Sequence, residues 1–435
     1  MFAAPLISRE AKVYELGLQR ALTAWILTGL AFLVLPGTFL GVWNLLAISA
    51  QRTAAPVAPE WIQAHGHAQI FGWIGSFILG IGFYSLSKMG GLGPFAVRRA
   101  WITLILWGAG VLMRWLTNLY GWQWRVLLPT SAVMELSAFC VFFLTVVRHR
   151  APRNGTTRVK KPVWMLVVVT STIGFLASLV TNLGVAIQCA IVGISPAIPH
   201  AVDQRLLPLF TWGFPVLAIW GFSARWLPVF LGLADPNERL LLMGVAVNVA
   251  AVICSLSGSF LPATSLAAVA AILSTAALHV FRKSERPPKV QGVHRTFPLF
   301  VRIAYVWLLI SAALGISAAE WDSAGGLWGA SRHALTVGFM ATMVFCIGQR
   351  VLPAFCGMHV LFSPRLMFAS VALLNCGCLL RVLSEVCAYE GYVPALWPLL
   401  PVSAVLELIA VTLFGISLTA TFARPPAHVL QSGVR

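Results

Sequence analysis

Long apolar runs separated by short polar breaks dominate this chain, and the runs decide its class. Twelve are long enough to cross a bilayer, for which about 20 largely apolar residues suffice. They span roughly 21–48, 62–87, 100–120, 127–147, 163–192, 206–233, 240–257, 261–281, 300–318, 332–353, 367–389 and 393–422. The pattern predicts an all-α integral membrane protein of twelve transmembrane helices. The first run does not read as a cleaved leader, being too long and lacking a small-residue cleavage site after it.

The polar breaks carry the charge, and their bias predicts orientation. With both termini in the cytoplasm, 24 of the 30 Lys and Arg face inward, including the clusters at 148–161 and 282–295. The outer side keeps Arg52, Arg114, Arg125, Arg205, Arg332 and Arg381. This is the positive-inside pattern, so the net charge of +17 needs no nucleic acid to explain it. Only 10% of the 435 residues are charged and 59% are hydrophobic. Roughly 25% charge is usual for a soluble domain, so soluble, fibrous and disordered classes are excluded together.

Self-comparison shows an internal repeat. His67 begins HAQIFGWIGSFILGIGFYSLSKMGG and His333 begins HALTVGFMATMVFCIGQRVLPAFCG. GVLMRWLT with Arg114 matches GCLLRVLS with Arg381, and LLPTSAVMEL with Glu135 matches LLPVSAVLEL with Glu407. The offsets are 266, 267 and 272 residues, so order and spacing hold over three runs. The middle third is a weaker copy, matching at RWLPVFLG but carrying Pro208 and Ala268 where the other copies carry His and Glu. The expected architecture is one membrane domain, 1–435, of three pseudo-symmetric four-helix units at 21–147, 163–281 and 300–422. All three have the same orientation.

Ionisable groups inside a membrane are costly and call for partners. His67 and His333, Arg114 and Arg381, and Glu135 and Glu407 all count into the outer third, so one layer holds the same trio twice. Imidazole can ligate haem iron, guanidinium can hold a haem propionate, and a carboxylate can orient either. Two plainer readings stay open. Arg114 with Glu135, and Arg381 with Glu407, are potential ion pairs between neighbouring antiparallel helices. The histidines could serve packing alone. His65 lies two residues before His67 and would point to the opposite helix face, toward a second haem or metal. His200, near Asp203, is either a loop metal ligand or a solvated loop residue. His149, His279, His294, His359 and His428 receive no role. Trp61, Trp122, Trp124, Trp328 and Trp397 read as interfacial anchors. The eight cysteines form no CxxCH or paired CxxC pattern; Cys189 and Cys387 lie near the outer boundary, with free thiols the default.

Two resemblances follow from these motifs. QAHGHAQIFGW with GGLG, and SRHALTVGFMATMV followed by QRVLPAFCG, resemble the two signature regions of the NnrS family. Ala68 and Gln69 stand where that family carries a Glu after its H-x-H pair, and LPAFCG replaces a basic, glycine-rich stretch. The likeness is close around runs 2 and 10 and one of layout elsewhere. It implies a bacterial inner-membrane protein with haem b, one or two per chain, and a part in nitric-oxide responses. The twelve-helix, threefold plan also resembles the catalytic subunit of haem–copper oxidases and nitric-oxide reductases. There, His65 or His67 and His333 match the low-spin haem ligand positions, and Arg114 and Arg381 match propionate partners. Runs 6 and 7 lack the histidines of that family's copper centre, so copper finds no support and an oxygen-reducing proton pump is disfavoured. The expected partners are the bilayer, nitric oxide or another small diatomic ligand, and a quinol or electron-donor protein. Alternatives are a nitric-oxide-reductase-like or quinol-linked oxidoreductase, and a transporter or channel.

Overall fold

The computed structural model describes residues 9–53, 57–90, 95–148 and 162–425. His149, His428, most of the 148–161 cluster and part of GGLG lie outside the described residues. Among the described residues, twelve helices have the length and apolarity of membrane spans: α1 (Lys12–Gln51), α2 (Pro59–Lys88), α3 (Ala96–Tyr120), α4 (Trp124–Val147), α5 (Val163–Val192), α6 (His200–Leu231), α7 (Glu238–Leu256), α8 (Phe260–Ala277), α9 (Phe297–Trp321), α10 (Gly326–Phe355), α11 (Pro364–Tyr389) and α12 (Pro394–Ala423). The described residues contain no strand. Helices suit this setting because each satisfies its own backbone hydrogen bonds without water.

Burial orders the bundle. The apolar windows of α2, α6 and α10 are 72%, 78% and 67% buried, against 33–44% for the helices that follow them in each group of four. These three are the inner helices. The others expose large apolar side chains, such as Ile105, Ile173 and Ile253, on the outside of the bundle, as a lipid-facing surface requires. Within each group the last two helices pack as a close pair: α3 on α4, α7 on α8, α11 on α12. Between groups, α4 packs on α5, α8 on α9 and α12 on α1, which closes a ring.

Breaks in helical regularity mark the inner helices. α2 is π-helical over Ala68–Gly75 and α10 over Ala334–Ala341, each beginning one residue after a histidine of the HA motif. α6 is π-helical over Trp212–Val216. A π turn shifts carbonyls off the regular ladder, and neighbouring side chains meet them. Ser171 donates to the Phe214 carbonyl (2.7 Å) and Asn248 to that of Trp212 (3.0 Å). Where α5 meets this stretch, the Gly174 backbone lies directly against the Gly213 carbonyl.

The end of the bundle that carries residues 193–199 and 322–326 is here termed upper. The turn between α9 and α10 is clasped there by Glu390, which follows α11. Ser323 donates through both hydroxyl (2.7 Å) and backbone N–H to Glu390 Oε2, and the Gly326 N–H donates to Oε1 (3.1 Å). Partial burial pushes the Glu390 carboxyl up, but these hydrogen bonds outweigh it and hold its pKa below the ordinary 4.5. A depressed folded-state value stabilises above the unfolded pKa, and that contribution is lost as pH falls through the folded value. A Glu390→Gln protein should therefore melt below the wild type at neutral pH, with the gap closing under acid conditions. A gap that is constant across a pH series of melting curves would refute the clasp.

Trp397, expected as an interfacial anchor, is instead buried beneath Tyr389, with ring centroids 4.8 Å apart. Trp122 is exposed at the upper end.

Candidate functional site

A cavity of about 1390 Å³ reaches the upper end, where Ile194 and Ser195 line its mouth. It exceeds the roughly 300–1,000 Å³ of ordinary small-molecule sites. α2 borders it on both faces. His65 and Gln69 share one face and His67 and Phe71 the other, because two residues turn a helix by about 200°.

The His65 face is built by α1. That helix is π-helical over Leu33–Phe39, a stretch containing Pro36 and Gly37. The Gly37 carbonyl oxygen lies 2.8 Å from His65 Nδ1. A carbonyl only accepts, so Nδ1 carries the proton and Nε2 is left with a bare lone pair. Gly41, one turn further along, lets the ring lie against α1, for a Cβ there would sit 2.8 Å from His65 Cε1. Gln69 donates to the Thr38 hydroxyl beside it (3.0 Å), and Thr38 donates to the Leu33 carbonyl (2.9 Å).

His333 has the same tautomer for a different reason. Its Nδ1 lies 2.9 Å from the Gly329 carbonyl oxygen and 3.0 Å from Glu385 Oε2, both acceptors. Its Nε2 lies 3.2 Å from Arg381 Nη2, and a guanidinium only donates. Nε2 is again the unprotonated nitrogen, here accepting from Arg381. Glu385 joins the set, since Arg381 Nε donates to its Oε1 at 2.9 Å. His65 lies within electrostatic range of both His333 and Arg381. Beside them, Arg381 Nη1 and Glu407 Oε1 are buried without a hydrogen-bond partner.

His67 differs. Its Nε2 faces Glu135 Oε1 at 2.8 Å and so carries the proton, and its ring stacks on Phe71 with centroids 4.7 Å apart. Glu135 runs over Gly110 as Glu407 runs over Gly377: a Cβ on either glycine would lie under 3 Å from the glutamate Cγ. Arg114 is fully buried, with Nε and Nη1 unpartnered.

Several expectations change here. The Arg114–Glu135 and Arg381–Glu407 ion pairs do not form: Glu135 is taken by His67 and Arg381 by Glu385. The histidine of α2 brought toward His333 is His65, because the helix turns His67 to the opposite face. Glu385 is the site residue the repeat comparison overlooks. Its signal is the spacing Arg381–Glu385, four residues apart on one helix face. His200 is not in a loop; it is the exposed first residue of α6, and no group of three or more His, Cys, Asp or Glu side chains is set to hold a metal among the described residues. All eight cysteines are free thiols.

The NnrS family model, described as NnrS protein, matches residues 21–425. The chain belongs to the NnrS family. In fold, this NnrS chain is similar to a haem–copper terminal oxidase solved as a dimer by cryo-EM. The TM-score is 0.69 at 14% identity, over 94% of this chain and 85% of the other. No curated protein matches. On this NnrS bundle, α7 carries no histidine and α6 carries only His200.

Proposed function

We propose that this NnrS protein holds a b-type haem between His65 and His333 and serves nitric-oxide binding or the electron transfer associated with it. One observation carries the reading: from different helices at one cavity, both rings have Nδ1–H tied to protein acceptors and Nε2 unprotonated, bare on His65 and facing the Arg381 guanidinium on His333. That is the form in which histidine ligates iron, with the second nitrogen fixing tautomer and orientation. The surroundings fit the group. Arg381 Nη1 is a buried donor without an acceptor, as a propionate partner would be. Arg332, beside His333, lines the same cavity and donates to Gln204 (2.6 Å). When bound, haem supplies a one-electron redox centre and a coordination position for a diatomic ligand if one histidine yields. The chain's own residues position it: Gly37 and Gly41 hold the His65 ring against α1, Glu385 holds His333 and Arg381 together, and the apolar walls limit water.

The three four-helix units, with π stretches in each inner helix, support the threefold plan, with repeats at 21–147, 163–281 and 300–422. The basic residues support an orientation with both termini in the cytoplasm of a bacterial inner membrane, which places the cavity mouth on the outer side.

The test is a reduced-minus-oxidised spectrum of protein purified from haem-replete cells, with iron measured on the same sample. Low-spin b-type bands with stoichiometric iron are expected. Absence of both a Soret band and iron would end the reading. Adding nitric oxide to the reduced protein then separates its two branches, since a shifted spectrum means gas binding and an unchanged one leaves electron transfer.

A further inference from the structure

The face of α2 turned away from His65 borders a side chamber of the same cavity, a part that the haem reading does not use. Its walls include His67 and Phe71 of α2, Arg114 of α3, Asn182 and Cys189 of α5, and Asp203 of α6. Two side chains here have donors with nothing to donate to: Arg114 through Nε and Nη1, and Asn182 through Nδ2. Each is only 2% exposed. A buried cation that lacks a hydrogen-bonded partner is strongly destabilising, so a ligand that pairs with it binds favourably.

The neighbouring carboxylates do not fill that role. Glu135 and Asp203 act on Arg114 through space, without a hydrogen bond to it. Glu135 is held over Gly110 and is accepting from His67. Nor does the chamber suit a second porphyrin. His67 points its Nε2–H at Glu135, and Phe71 covers the ring face. Phe71 itself packs on Phe210 at 5.4 Å, above the stacked Phe175–Phe214 pair. What is left is a flat aromatic wall beside unpartnered guanidinium N–H donors and a carboxamide, reached from the same mouth.

We propose that this chamber binds a small, planar, monovalent oxyanion, such as a carboxylate or nitrate. Its oxygens accept from the unpartnered Arg114 N–H groups and from the Asn182 amide. A guanidinium offers such an anion several N–H donors in one fixed plane, which a lysine cannot reproduce. The proposal stands independently of haem, because no residue of the His65–His333 set contributes to it.

The experiment follows melting of the full-length protein in nanodiscs with sodium nitrate or sodium formate, at constant ionic strength balanced with sodium chloride. The wild type should show a saturable rise in Tm. Arg114→Lys and Asn182→Ala should each weaken the apparent affinity at least tenfold, while Gly184→Ala, where an added Cβ meets nothing within 4 Å, should leave it unchanged. Asn182→Ala, which removes only a carboxamide, decides the matter if Arg114→Lys does not fold. Three results would overturn the site: a response linear in salt with no saturation, equal affinity in Asn182→Ala and wild type, or loss of bound haem in Arg114→Lys. The last would assign the guanidinium to a porphyrin carboxylate instead.

Discussion

Purified His65→Ala and His333→Ala proteins should each lose the low-spin haem signal, whereas His67→Ala should keep it. The tautomers lead to this ordering. His65 and His333 have Nε2 unprotonated because a backbone carbonyl or a carboxylate holds Nδ1–H, with Arg381 the group that must turn from His333 Nε2 to the porphyrin, while His67 spends its Nε2–H on Glu135. Each alanine also leaves a ring-sized hole, so added imidazole should restore the low-spin bands in His65→Ala and His333→Ala. Glu385→Gln tests the supporting shell. It keeps the proposed ligand His333 but removes the charge that holds His333 and Arg381, and changes of this kind cost roughly 10–100-fold in metal affinity. Should His67→Ala lose the signal and His65→Ala retain it, the wrong face of α2 has been assigned.

Gly174→Ala should cost the protein its fold. A Cβ at this position would overlap the Gly213 carbonyl oxygen, so backbone would have to move rather than a flexible side chain. Overpacking in a core typically costs about 1–3 kcal/mol when side chains can adjust. Here the π stretch of α6 would have to shift, together with the Ser171–Phe214 and Asn248–Trp212 hydrogen bonds and the Phe175–Phe214 stack at 4.3 Å. The expected cost is at or beyond the top of that range. Gly184→Ala on the same helix is the control, since a Cβ there meets nothing within 4 Å. Size-exclusion profiles and melting temperatures in detergent should show Gly184→Ala as wild type and Gly174→Ala aggregated or strongly destabilised. Equal behaviour of the two would remove the close α5–α6 crossing from the account.

The comparison of the first and third units shows where reading a repeat succeeds and where it misleads. Matching Gly110 with Gly377 and Glu135 with Glu407 corresponds to a real shared contact, each glutamate packed over its glycine. Extending the match to partners fails, and one residue explains why. The 267-residue offset that pairs Arg114 with Arg381 also pairs Asn118 with Glu385. Asn118 donates to the Glu60 carbonyl (3.1 Å) and offers no carboxylate, so His67 turns to Glu135. Glu385 does offer one, so it takes both His333 and Arg381 and leaves Glu407 aside. A single charge difference between otherwise matched helices redirects the hydrogen bonding of the whole cluster.

The twelve apolar runs were sufficient on their own to determine a helical membrane bundle, because a bilayer admits few other structures and the length requirement is strict. The inward bias of Lys and Arg, and the recurrence of His, Arg and Glu at held spacing, were likewise visible without coordinates. Which histidine meets which was not. That depended on the helical phase separating His65 from His67, on π turns that place the Gly37 carbonyl beside His65, and on glycines that let helices touch at Gly41 and Gly174. Such features arise from contacts between residues far apart in the chain, and a linear pattern of apolar and polar positions carries no record of them.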